Sequence, residues 1–275
     1  MTDLVTIHRH TSAPQGAFVN AYLVETASGV VAVDSTLTVS NSRALRQRLE
    51  RLGKPLLAVL VTHSHPDHYG GLTELVASDD VPIIATQGVH EVIRRDDPIK
   101  EQILRPMFGD EWVRERTFPN TVVADGETVT FDGARFTVID LGPSESPHDC
   151  PWLLGDDRET VFLGDQIYDR MHCYLADGFF DRWLANIERL RRELPRDAVL
   201  HVGHGGPCSV ADFDWQREYI ETFVDAVNAA DWSEPDRAEQ AVVARVKEFL
   251  PGEELQFLME LSVQPVAGKL GLLPR

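Results

Sequence analysis

Residues 56–61, Leu-Leu-Ala-Val-Leu-Val, form a short, unbroken apolar run, and it leads straight into Thr62-His63-Ser64-His65-Pro66-Asp67-His68-Tyr69-Gly70-Gly71. An apolar run of that length reads as a strand buried on both faces. The chain must therefore build a covered sheet whose strand end carries a dense set of polar donors. If the backbone stays extended, His63 and His65 point to the same side, because side chains alternate along a strand. Two imidazoles can then reach one ion. Pro66 works against a continued ladder and helps the chain turn. Asp67 and His68 then face a second position nearby, and Gly70 and Gly71 permit a tight entry into the next helix. Nitrogen and carboxylate donors of this kind suit zinc, manganese or iron. One loop cannot fill two coordination shells, so further donors must come from elsewhere in the chain.

Residues 19–25 and 30–34 are β-rich runs around Ala27-Ser28-Gly29 and predict a hairpin. A helix is expected over 40–52, capped by Ser40 or Ser42 and ended by Gly53. Residues 63–69 read as a polar loop, 70–77 as the start of a helix and 82–85 as a strand. Residues 88–118 interrupt the alternation with charged, helically spaced sequence broken by Pro98, Pro106 and Gly109, which predicts two or three short helices. Strands follow at 121–124, 128–131 and 136–141, the last two joined by Asp132-Gly133. Further strands are expected at 152–154, 161–163 and 198–202, with a helix over 181–193. From 210 to about 261 the chain reads as helical, with breaks at 233–235 and 251–252. Hairpins and strand–helix–strand units together predict mixed sheets covered by helices.

Three later positions sit at expected strand ends and fit as donors: His148 in the turn-rich loop Gly142-Pro143-Ser144-Glu145-Ser146-Pro147-His148-Asp149, Asp165 after Phe162-Leu163-Gly164, and His204 in Gly203-His204-Gly205-Gly206. His201 competes with His204, but it falls inside the apolar run, so His204 is preferred. His8, His10 and His90 read as surface histidines. Tyr168, His172 and Tyr174 follow Asp165 closely enough to line a pocket, and packing explains them equally well. Cys150, Cys173 and Cys208 have no CxxC spacing, and Cys150 and Cys208 read as packed free thiols. No GxSxG elbow and no phosphate loop occurs.

The HxHxDH run followed by two glycines resembles the metallo-β-lactamase superfamily, over roughly residues 18–210. The resemblance implies a four-layer αββα sandwich of two mixed β-sheets flanked by helices, with metals in a cleft along one edge. It implies one metal on His63, His65 and His148, a second on Asp67, His68 and His204, and Asp165 bridging both. Asp34 matches the family's early buried aspartate, which would orient the histidine loop. The GPSESPHD loop departs from the GH[ST]PG type common in the family, so His148 is matched by order and position. Residues 1–210 are then expected to form the main domain, with a helical lid insertion at 88–118, and 211–275 a helical extension packed on it.

The formal net charge of −18 repels phosphate backbones, so nucleic acid is not an expected partner. No secretory signal and no run of membrane-spanning length is read, and three cysteines suit a reducing compartment. A cytoplasmic protein acting on a small molecule is expected. The expected function is hydrolysis of an ester, thioester, lactone or amide, β-lactams included. Two divalent ions are expected as cofactors, zinc by preference, with iron or manganese as alternatives. Asp67 is expected to orient the nucleophile or move a proton. A mononuclear iron oxygenase acting on a sulfur substrate and a non-catalytic metal-binding protein are the competing readings. Met107, Phe108 and Trp112 are expected either to pack as scaffold or to overhang the cleft as an apolar wall.

Overall fold

The computed structural model describes residues 5–78 and 80–273. The first sheet begins as an antiparallel meander of β1 (Thr6–Thr11), β2 (Asn20–Glu25) and β3 (Val30–Val33). Its connections then change character. Helix α1 (Val39–Arg51) leads to β4 (Leu56–Leu60), the one-turn helices α2 (Pro66–Tyr69) and α3 (Leu72–Leu75) lead to β5 (Ile83–Thr86), and α4 (Gln87–Phe108) leads to β6 (Thr121–Val123). Helical crossovers impose parallel pairing, and β3 to β6 run parallel in the order β1-β2-β3-β4-β5-β6.

The second sheet repeats this logic in the opposite proportion. β7 (Thr128–Phe131), β8 (Ala134–Val138) and β9 (Trp152–Leu154) are antiparallel neighbours, joined by β10 (Thr160–Tyr168). Helix α5 (Phe180–Glu193) then carries the chain to β11 (Val199–His204), which pairs parallel to β10. Three helices finish the chain, α6 (Asp212–Ala229), α7 (Pro235–Phe249) and α8 (Gln256–Lys269).

The two sheets face each other across one core. Leu23, Val31, Val59 and Ile84 of the first sheet join Phe136, Trp152 and Phe162 of the second, with the Tyr22 and Phe162 rings 5.3 Å apart. Each such side chain contributes about 1.5–3 kcal/mol on burial. A second core lies on the outer side of the second sheet, where Trp183 and Ile187 of α5, Phe213 and Phe223 of α6, Val242 of α7 and Met259 of α8 cluster. Helix, sheet, sheet and helix therefore stack in the expected αββα order. Among the described residues no helix is long and apolar enough to cross a membrane, and Cys150, Cys173 and Cys208 are buried free thiols.

The local reading needs two corrections. Thr38 caps α1, its side chain accepting from Asn41 N at 3.4 Å, so neither Ser40 nor Ser42 does. Residues 87–108 form one helix of 22 residues, not two or three short ones, although Pro98 and Pro106 lie inside it. Each proline forfeits one backbone hydrogen bond. The helix persists because Val89, Val92 and Ile93 anchor its first half in the core. A buried ion pair fixes the middle: Arg116 donates from Nη2 to Asp97 Oδ1 at 2.7 Å, and from Nη1 to the Gly70 carbonyl at 3.1 Å. That second bond ties α4 to the end of the histidine loop.

Candidate metal centre

β4, an inner strand of the first sheet, delivers the histidine run at its C-terminal end. Thr62 N and Oγ1 donate to the two carboxylate oxygens of Asp34, at 2.9 and 2.8 Å. His63 and His65 follow in extended backbone, and Pro66 starts α2, which turns Asp67 and His68 inward. The second sheet supplies its donors from the facing edge. Asp165 lies within β10, where the register with β11 shifts on both sides of Gly164 and Gly164 itself takes φ +60. A bulge of this kind re-aims one side chain of a strand, and the Asp165 side chain is 2% exposed. His204 closes β11.

These residues meet in two groups. Asp67, His68, Asp165 and His204 each bring one donor atom to within 4.8 Å of the others, and so do His63, His65 and Glu145. His204 Nε2 is 3.3 Å from Asp67 Oδ2 and 3.2 Å from Asp165 Oδ2, and His68 Nε2 is 3.4 Å from Asp165 Oδ1. In the other group His65 Nδ1 lies 3.0 Å and His63 Nε2 3.8 Å from Glu145 Oε2. Asp165 Oδ2 also stands 3.9 Å from His63 Nε2, so this carboxylate lies between the groups.

The donor set fits metal. Ligand atoms bound about 2.0–2.2 Å from one ion with tetrahedral angles sit roughly 3.3–3.6 Å apart, close to the spacings found. His63 Nε2, His68 Nε2, His204 Nε2, Glu145 Oε2 and Asp165 Oδ1 are buried polar atoms with no hydrogen-bond partner. Burying one such atom without a partner costs about 1–3 kcal/mol, and five in two adjoining groups need a common explanation. Ions held by the two groups would supply one.

The opposite nitrogen of every ring is anchored. His68 Nδ1 meets Asp34 Oδ2 at 2.8 Å and His65 Nε2 meets Asp177 Oδ2 at 2.7 Å. His63 Nδ1 meets Thr62 Oγ1 at 3.1 Å, and His204 Nδ1 meets the Ala17 carbonyl at 2.9 Å. Such outer partners fix ring orientation and select which nitrogen is free to bind. Tyr168 secures the remaining acid, donating its hydroxyl to Glu145 Oε1 at 2.9 Å while its ring stacks on His204 at 4.9 Å.

Burial and charge pull these groups in different directions. Burial, reinforced by neighbouring His68, holds His63 well below the usual histidine range. Burial would also lower His204, but Asp165 and Asp67 outweigh it and raise that ring to about 9. Burial pushes Glu145 up to about 7 against the opposing pull of His65. For Asp165 the neighbouring His204 and His68 overcome burial and hold the carboxyl well below its ordinary value.

The structure does not bring His148 into either group. Its Nε2 bonds Asp140 Oδ1 at 2.6 Å, and its ring packs so closely on Gly88 that a Cβ there would overlap it. The loop geometry explains the exchange. Asp149 N donates to the Gly142 carbonyl at 3.0 Å, closing the neck, and Ser146 N and Oγ donate to Asp149 Oδ2 at 2.9 and 3.0 Å. With the neck closed, Glu145 turns inward, and Asp140 and Gly88 hold His148 outside. Glu145 is in plain view in GPSESPHD, but spacing alone does not choose between two donors three residues apart. Asp177 carries no sequence signal, since it comes from the loop before α5.

His201 is half-buried, stacks on Phe162 at 5.2 Å and stands edge-on to Tyr22, away from the donor groups. His172 bonds Tyr219 Oη and the Gly252 carbonyl in the outer core. His8 bonds Glu25 and His90 bonds Arg94 at the surface.

A cavity of about 450 Å³ opens over the donors, with His65, Asp67 and Asp165 on its floor and Tyr168 and Tyr174 beside them. Met107 and Phe108 of α4 line it, as the wall reading expects. Trp112 does not. It is 1% exposed, and the Arg116 guanidinium sits 4.7 Å above its ring, so it packs as scaffold.

Gly203 is packed directly against the donors. A Cβ at this position would overlap Asp165 Oδ1 and lie 2.7 Å from His68 Cε1. Gly203→Ala should therefore fold but lose at least one bound ion, read by elemental analysis of the purified variant. Full metal content would show that Asp165 has room to move.

The family model of the metallo-beta-lactamase superfamily matches residues 14–204. Among curated proteins, the hydroxyacylglutathione hydrolase of Bdellovibrio bacteriovorus is 29% identical over 149 residues, covering 54% of this chain and 49% of that protein. The linear primary-alkylsulfatase of a Pseudomonas species is 25% identical over 223 residues, covering 68% of this chain and 41% of that protein. The chain spans about half the length of the curated relatives it matches. A solved metallo-beta-lactamase family protein from Thermus thermophilus superposes with a TM-score of 0.66 at 20% identity, over 96% of this chain and 94% of that one. The histidine run, the two-sheet sandwich and a family match across most of the chain lead to one conclusion: this chain belongs to the metallo-beta-lactamase superfamily.

Proposed function

We propose that the chain is a dinuclear metal-dependent hydrolase that cleaves an ester or thioester bond in a small molecule. One observation carries this reading: five buried, unpartnered donor atoms are gathered in two adjoining groups beneath a cavity. His63, His65 and Glu145 would hold one ion, Asp67, His68 and His204 the other, with Asp165 between them. Divalent ions so held, zinc by preference, would polarise a carbonyl oxygen and make water nucleophilic at neutral pH. The residues themselves have separable tasks. Asp34, Asp177 and the Ala17 carbonyl keep the rings in one tautomer. Asp67 has the most exposed side chain of its group, at 19%, and it faces the cavity. Its Oδ2 would orient the attacking water and carry the proton towards the leaving group.

The hydroxyacylglutathione hydrolase relatives, by their name, support a thioester among the candidate substrates. Lactones and amides use the same carbonyl chemistry and belong in the same assay. The set His63, His65 and Glu145 also favours a second reading, because two histidines and one carboxylate suit mononuclear iron and oxygen chemistry. The second complete group of donors weighs against it. The experiment is a panel of esters, thioesters, lactones and β-lactams assayed without oxygen, before and after chelation and metal readdition. Anaerobic, metal-restored cleavage of an ester or thioester is the expected result. Activity only with iron and oxygen would favour the alternative.

A further inference from the structure

Two helices outside the sheets form the upper walls of the cavity, and they come from different parts of the chain. Ile103, Leu104 and Met107 line it from α4, and Phe257, Leu258 and Leu261 line it from α8. Helix α8 lies beyond residue 204, where the family match ends. The wall opposite α4 is thus supplied by sequence outside the matched core.

These side chains are also unusual in their exposure. Among the described residues, eight large apolar side chains are markedly exposed, and four of them, Ile103, Met107, Phe257 and Leu261, line this cavity. Their exposures run from 47% to 64%. Exposed apolar residues scattered singly need no account, but a cluster around one opening marks a binding surface. On each helix the pairs are four residues apart, which puts them on one face. Other faces are committed to packing: Met259, Val263 and Val266 of α8 are buried in the outer core. Among the described residues, Lys100 is the one cationic side chain lining the cavity away from the histidines. A polyanionic substrate would find few partners there, on a chain of net charge −18.

We infer that the substrate carries a linear aliphatic chain, which lies between α4 and α8 while its ester or thioester end reaches Asp67 and Asp165. The inference rests on the hydrolase reading for the reacting end, and on the cavity alone for the chain. Phe257, Leu258 and Leu261 are then specificity-determining residues. Burying each further methylene gives about 0.8 kcal/mol, or roughly fourfold in kcat/KM, until the channel is full.

Two measurements on the full metal-loaded chain test this. The first is kcat/KM for p-nitrophenyl acetate, butyrate, hexanoate and octanoate, each below its aggregation threshold. It should climb roughly fourfold per methylene over the early members. In Leu261→Glu and Phe257→Ala, both at exposed positions, the octanoate-to-acetate ratio should fall about tenfold. A flat or falling series with acetate still cleaved would overturn the inference and leave the hydrolase reading intact. The second is calorimetric binding of 1-decanol, which requires no turnover. Micromolar binding that Leu261→Glu abolishes, with no ester of any length cleaved, would keep the aliphatic channel and reject the hydrolase reading. No binding of 1-decanol by the wild-type chain would overturn the channel.

Discussion

Asp165→Ala is expected to reduce kcat/KM at least a thousandfold, the equivalent of about 4 kcal/mol of lost transition-state stabilisation. The carboxylate stands within 3.9 Å of the inward nitrogens of His63, His68 and His204 and so reaches both donor sets. Its removal should also leave the inward nitrogens of His68 and His204 without one of their carboxylate neighbours. Elemental analysis should find at least one ion missing from the variant, and circular dichroism should find the fold intact, since the site lies at the edge of the sandwich and not in its core. Asp165→Glu is a poor rescue in this account. Gly203 leaves no space for a longer side chain, so metal content should stay low in that variant too.

The second large effect is a contrast between neighbours in one loop. Glu145→Ala should remove the acid from the His63 and His65 group, lower bound metal by one ion and cost a hundredfold or more in kcat/KM. His148→Ala should keep both ions and most activity, because its ring bonds Asp140 and rests on α4. The readouts are metal equivalents and kcat/KM for both variants, measured on the same substrate. Equal losses would mean that the loop rearranges on metal binding and brings His148 inward. A loss confined to His148→Ala would restore the family's usual histidine and displace Glu145.

The fold and the site are not equally legible in the sequence. Mixed sheets covered by helices can be read because apolar runs, Gly-containing turns and the switch from hairpins to helical crossovers are local signals that agree with one another; their stacking as a four-layer sandwich is implied only by the family resemblance. The run from His63 to His68 can be read for the same reason: its geometry follows from one strand end and one proline. The third donor of the first group lies in a loop, where orientation depends on hydrogen bonds that spacing does not encode. Ser146 and Asp149 close the neck, Asp140 captures His148, and Glu145 is left facing inward. The outer partner Asp177 is set by the path of the chain between β10 and α5, which no motif marks. Helix α4 reads as broken because Pro98 and Pro106 are strong local breakers, whereas tertiary anchoring by Val89, Ile93 and the Asp97–Arg116 pair overrides them. Proximity in sequence groups Trp112 with Phe108. The chain leaves α4 through a 3-10 turn at Gly109–Glu111, and that turn sends Trp112 inwards beneath Arg116.

The central claim is that these donors form a two-ion centre shared across Asp165. The most direct test is the number of ions bound per chain, measured by elemental analysis after full chelation and stepwise return of zinc, with protein quantified in the same samples. Binding should saturate at two equivalents, fall to one in Glu145→Ala, and stay at two in His148→Ala. Saturation at a single equivalent in the wild-type chain, unchanged by Glu145→Ala, would contradict the account.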